Sequence, residues 1–123
     1  MRKSIALMLF VFLMGLAPAA KAEFLGSYYA RLSLDDHYNS KGKRLKNAAA
    51  IVRQDRANYH RFHIRDGEDD WDSVFGSKRN RAHMERMLNR GSWTKGLRKK
   101  IINRTPLIHV EIYRDFINLK VLD

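Results

Sequence analysis

The chain has 123 residues, with 24 Lys and Arg against 13 Asp and Glu, for a formal charge of +11. It contains no cysteine, which excludes disulfides, cysteine-ligated iron–sulfur clusters and cysteine nucleophiles. The length suits one small domain, held by its core and hydrogen bonds alone.

The first element is an export signal. Arg2 and Lys3 precede an apolar run from Ile5 to Leu16, broken by Gly15, and the small residues Ala20 and Ala22 follow. Basic, apolar and small-x-small segments in that order predict a secretory signal peptide over residues 1–22. The run is too short for a spanning helix, which needs about 20 apolar residues. No cysteine follows it to carry a lipid. Cleavage removes Arg2, Lys3 and Lys21 and no acid, so the expected mature domain, residues 23–123, carries +8. The pattern thus predicts one small basic domain, periplasmic or secreted, with no transmembrane segment after cleavage.

Ser27 to Leu34 has strand-like aromatics and reads as an edge strand or extended arm. Asp35 to Gly42 reads as a polar turn, in which Asn39 or Ser40 would cap the next helix. That helix is expected from about Lys43 to Phe62, because Leu45, Ala48, Val52, Tyr59 and Phe62 recur at three- and four-residue steps. Gly67 is its expected stop, and Trp71, Val74 and Phe75 are apolar anchors beyond it. Ser77 to Gly91 predicts a second helix with Met84, Met87 and Leu88 as its apolar stripe. Trp93, Leu97 and Ile101 fit a third, which Gly96 weakens. Near the C-terminus the period changes to two. Ile108, Val110 and Ile112, then Ile117, Leu119 and Val121, alternate with polar residues. A strand pair with a tight turn at Arg114 and Asp115 fits; the turn lacks Asn-Gly, so one long bent strand competes. The predicted class is α+β, with two or three amphipathic helices packed on a small, mostly antiparallel sheet and a C-terminal strand pair.

Three charged groups carry the functional readings. Asp55 falls on the inward arc of the first helix, where a carboxylate needs a partner or a wet cleft. Arg56 and His63 flank that arc, and His60 lies within helical reach of both. Asp55, Arg56, His60 and His63 therefore form a candidate catalytic set, with a histidine base, an orienting aspartate and an anion-holding arginine. The competing reading is a structural ion pair with two exposed histidines.

His60 and His63 also have helical spacing for one metal, with Asp66, His37, His83 or His109 as a third ligand. The zinc-protease pattern H-E-x-x-H is absent. Asp66, Glu68, Asp69, Asp70 and Asp72 offer oxygens for calcium or magnesium, but glycine stands second rather than sixth, unlike an EF-hand. A solvated acidic loop is the simpler expectation, with Asp70 and Asp72 available to a helix N-terminus.

From Lys78 to Arg104 there are ten basic residues and one acid, Glu85. Lys78, Arg79, Arg81, Arg86, Arg90, Lys95, Arg98, Lys99 and Lys100, with Trp93 to stack, form a candidate surface for an anionic polymer or acidic protein. The competing readings are a solvated face and internal pairing with the acidic loop. Two functions follow. The first is a non-enzymatic exported domain, without cofactor, that binds an envelope polymer, nucleic acid or acidic protein. The alternative is a small metal-dependent phosphodiester hydrolase built on His60, His63 and the Asp66–Asp72 region.

Overall fold

A computed structural model describes residues 22–123. The expected signal peptide, apart from Ala22, lies outside the described residues. The elements are β1 (Phe24–Arg31), a 3-10 helix (Leu34–His37), α1 (Ala48–Ala57) running into a π-helical turn (Asn58–Phe62), α2 (Lys78–Arg90), α3 (Lys95–Asn103), β2 (Leu107–Tyr113) and β3 (Ile117–Val121). The strands form one open antiparallel sheet in the order β1-β2-β3. The architecture is α+β, with three α-helices and a C-terminal strand pair. Among the described residues no helix is long and apolar enough to cross a membrane.

Period-two alternation sends one set of side chains from each strand toward the helices. Tyr28 and Ala30 on β1 and Ile108, Val110 and Ile112 on β2 are buried with Ala49, Ile51 and Val52 of α1, Met84 and Leu88 of α2 and Ile101 of α3. Each such large aliphatic side chain contributes about 1.5–3 kcal/mol by leaving water. Ile117, Leu119 and Val121 of β3 pack against the same core but are only partly buried. The opposite sheet face carries Tyr29, His109, Glu111, Asn118 and Lys120, and among the described residues no helix covers it.

The period-two reading of the C-terminus holds. Tyr113 N donates to Phe116 O at 3.0 Å, so Arg114 and Asp115 make a two-residue turn without glycine. The third helix forms despite Gly96, because Thr94 Oγ1 caps it by accepting from Leu97 N at 3.2 Å. Ser77 caps α2 as expected, accepting from Asn80 N.

The first helix departs from expectation at both ends. Asn39 does not cap it. Its Oδ1 accepts from Lys41 N and Lys43 N at 3.0 and 2.9 Å, and Gly42 takes φ +77°. These local bonds compete with helix and hold residues 39–43 in a turn. The helix begins only after Asn47, whose Oδ1 accepts from Ala50 N at 3.0 Å. At the other end the last turn widens to π geometry and stops at His63, in the left-handed region at φ 57°, well before Gly67. A π turn delays the phase of the side chains after it, so Phe62 emerges exposed rather than on the buried face.

Three further corrections concern loops and β1. The strand is Phe24–Arg31, three residues earlier at each end than its expected Ser27–Leu34. The segment after it is not a simple polar turn, since its 3-10 helix buries Asp36 and His37. His37 Nδ1 and Nε2 lie 2.7 Å from Ser33 O and 2.8 Å from Ile101 O, which ties this turn to α3. Trp71 is 66% exposed and anchors nothing, whereas Phe75 is buried against Tyr28.

Candidate functional site

The centre of the charged constellation is Arg56, which is fully buried. Its Nε donates to Asp55 Oδ2 at 2.8 Å, and its Nη1 donates to Asp72 Oδ1 and to the Asp70 carbonyl, each at 2.9 Å. The guanidinium lies 3.9 Å from the Tyr28 ring centre and 4.6 Å from that of Tyr59. Two carboxylates, a carbonyl and two aromatic faces offset the cost of burying this charge. Burial works against the cation, but Asp55, Tyr28 and Asp72 hold the Arg56 pKa above its ordinary value. Only Nη2 lacks a protein partner.

Asp55 has the inward position that its helical phase implied, and its neighbour Arg56 is the partner. A second acid stands beside it. Asp36 lies within hydrogen-bonding reach of Asp55. Asp36 Oδ1 accepts from Asn58 Nδ2 at 2.8 Å, and Gln54 Nε2 holds Asn58 through Oδ1 at 2.9 Å. Burial pushes Asp36 up to about 7, helped by the charges of Asp69 and Asp66. Burial and Asp36 likewise push Asp55 well above the carboxylate range, against the pull of Arg56. Both buried carboxyls are thereby biased toward their protonated forms.

The π turn brings His60 onto Asp72. His60 Nε2 lies 2.7 Å from Asp72 Oδ1, and Asp72 Oδ2 accepts from Val74 N and Phe75 N at 2.9 and 2.6 Å. Burial opposes the Asp72 charge, but the bonds from His60, Phe75 N and Arg56 hold its pKa below the usual value. Both oxygens of Asp72 are therefore engaged, and it folds its own loop rather than capping a helix. His63 is exposed beyond the π turn, with Nδ1 3.5 Å from Arg65 Nη2. Of the four candidate residues the structure gathers Asp55, Arg56 and His60 around Asp72 and leaves His63 outside. Among the described residues no three His, Asp or Glu side chains group as a metal site requires.

The acidic loop is not simply solvated. It closes the outer edge of β1. Tyr29 N donates to Asp70 Oδ2 at 3.1 Å, Asp70 N donates to Tyr29 O at 2.8 Å, and Arg31 N donates to Asp69 Oδ1 at 2.8 Å. The Arg31 guanidinium grips both oxygens of Glu68, at 2.9 and 2.7 Å, and reaches Asp123 at 2.7 Å. This Arg31 contact lowers the Glu68 pKa.

The basic block has a different character. Lys78, Arg79, Arg86, Arg90, Lys95 and Lys99 are exposed, and Arg98 and Lys100 half-buried. Arg81 is the exception: it is buried, and its Nη1 donates to Phe75 O at 2.9 Å and Gly76 O at 3.1 Å. Trp93 is half-buried under Arg98, whose guanidinium carbon lies 4.7 Å from the indole centre. The alternative of pairing with the acidic loop is not found among the described residues. The loop's ion pairs go to Arg31, Arg56 and His60, and Glu85 of the block pairs with Arg53 at 2.8 Å.

No family model, curated protein or solved structure matches the chain. The site must therefore be read from its own geometry. Sequence reasoning missed Tyr28, Asp36 and Asn58, which complete the Arg56 cluster from other elements. Only the unusual acid at Asp36 beside an apolar Leu34 hinted at it.

Proposed function

We propose that this chain is an exported, non-enzymatic basic domain that binds an anionic partner through the face built by α2 and α3. The observation that carries this reading is the absence of internal neutralisation. Among the described residues none of the ten Lys and Arg side chains from Lys78 to Arg104 has a carboxylate within 4.0 Å. Outside this block Arg31, Arg53, Arg56 and Arg114 each hold an acid. A face that keeps nine solvent-accessible basic groups unpaired raises the local concentration of polyanions. Export follows from the basic, apolar and small-residue order of residues 1–22.

The engagement of Asp72 favours binding over phosphodiester hydrolysis. A metal-dependent site needs carboxylate oxygens with free lone pairs beside the histidine. Here His60, Arg56 and two backbone N–H groups already occupy Asp72. Binding of heparin and of polyglutamate to the purified protein tests the reading. Retention that falls steeply between about 50 and 200 mM salt is the expected result. No retention of either polyanion, or retention indifferent to salt, would overturn it.

A further inference from the structure

The two outer strands of the sheet expose different backbone groups. In an antiparallel ladder, residues alternate between those that bond their partner and those whose N–H and C=O point away. Tyr113 N to Phe116 O and Leu122 N to Leu107 O fix the bonded pairs of the β2–β3 ladder. The register then makes 109/120 and 111/118 bonded pairs as well. Ile117, Leu119 and Val121 consequently turn their N–H and C=O groups outward. Among the described residues nothing bonds to them.

A groove of about 410 Å³ runs beside this edge. Ile117 and Leu119 line one side, and Met87, Leu88, Trp93 and Leu97 the other. The Trp93 indole Nε1–H is buried and has no hydrogen-bond partner. The Arg98 guanidinium lies over the Trp93 ring, 4.7 Å from its centre, and Arg90 and Lys95 are exposed, each next in sequence to a lining residue. On the outer sheet face Lys120 flanks the same edge. The groove thus offers a row of backbone donors and acceptors, an apolar wall and a positive rim. This is the equipment for adding a strand.

We infer that the β3 edge takes an extended acidic segment of a partner protein, added as a fourth, antiparallel strand. The inference rests on the anion-binding reading and names its occupant. Charge complementarity selects the partner: a second copy would bring another +8 domain to a basic rim. Residues of the added strand that bond to β3 lie opposite Ile117, Leu119 and Val121, so their side chains face the helices and are apolar. The residues between them face the outer sheet surface near Lys120 and are acidic.

The test uses a labelled nonapeptide, Glu-Glu-Val-Glu-Val-Glu-Val-Glu-Glu, and two N-methylated forms. One carries the methyl groups on the three Val nitrogens, the other on the two Glu nitrogens between them. The expected result is that the parent and the Glu-methylated form bind, and Val-methylation weakens binding at least about tenfold, since it removes the bonds to β3. Amide exchange at Leu119 and Val121 should slow on binding. Equal affinity for all three peptides, unchanged Leu119 and Val121 amides, or no peptide binding while polyglutamate still binds, would overturn the inference and leave the broader reading standing. Loss of polyglutamate and heparin binding as well would instead remove the broader reading. A free protein that is already dimeric, with these amides protected, would show that a second copy holds the edge and would also overturn the inference.

Discussion

β1 and β3 are the two outer strands of one small sheet, and they are finished in opposite ways. The outward groups of β1 at Tyr29 and Arg31 are closed by Asp69 and Asp70. Asp70 behaves as a short strand there, giving its own N–H and accepting through its side chain. Among the described residues the outward groups of β3 have no hydrogen-bond partner and border a groove. An unpaired edge invites further pairing, and proteins usually blunt it. The difference teaches that the acidic loop is a structural closure, whereas the basic half leaves its edge accessible. On the β1 side Glu68 and Asp72 of the loop are ion-paired, whereas among the described residues the basic groups of α2 and α3 have no carboxylate partner.

The most severe way to break this arrangement is Arg56→Met. It leaves Asp55 and Asp72 buried without their cation and frees the Asp70 carbonyl that anchors the loop. A loss of about 3–5 kcal/mol in urea unfolding is expected, together with faster exchange at the Tyr29 amide. An unchanged midpoint would mean that the cluster does not hold the closed edge.

Rising pH should act on the same cluster. Asp36 rises from an ordinary 3.8 to about 7 in the folded protein, and Asp55 moves in the same direction. A carboxyl raised on folding stabilises fully below its unfolded pKa and loses that contribution as pH rises through its folded one. Stability should therefore fall between about pH 4 and pH 7 by roughly 2–4 kcal/mol. Asp72 is shifted downward, so its contribution disappears only below that window. Asp55→Asn keeps an amide donor beside Asp36 and should flatten the decline. A wild-type curve that is level from pH 4 to 8 would count against the raised carboxyls.

A milder change tests the closure alone. Asp69→Ala removes the acceptor for Arg31 N and Asp66 N and should cost about 1–2 kcal/mol. Its effect on the β3 amides should be nil. The smallest stability effect belongs to the open side. Lys95→Ala, at an exposed position, should leave the unfolding midpoint within about 0.5 kcal/mol of the wild type while weakening retention on heparin.

The alternation of β3 was legible in the sequence, but neither its position at an open edge nor the closure of β1 was. Ile117, Leu119 and Val121 alternate cleanly, but only the observed two-residue turn and register fix which backbone groups point outward. The inward position of Asp55 was equally plain from its helical phase. Nothing local, however, distinguishes Asp69 and Asp70 from solvated acids. Their partners lie 38 and 41 residues away on β1, and such pairings leave no periodic trace. The π turn was hidden for a related reason. Residues 58–62 have helical composition, and only the contact of His60 with Asp72 reveals the widened phase.

Native-state amide exchange of the free protein compares the two edges most directly. Tyr29 and Arg31, bonded to the acidic loop, should exchange at least about tenfold more slowly than Leu119 and Val121. Protection of Leu119 and Val121 equal to that of Tyr29 would contradict an open β3 edge, and with it the place assigned to the partner strand.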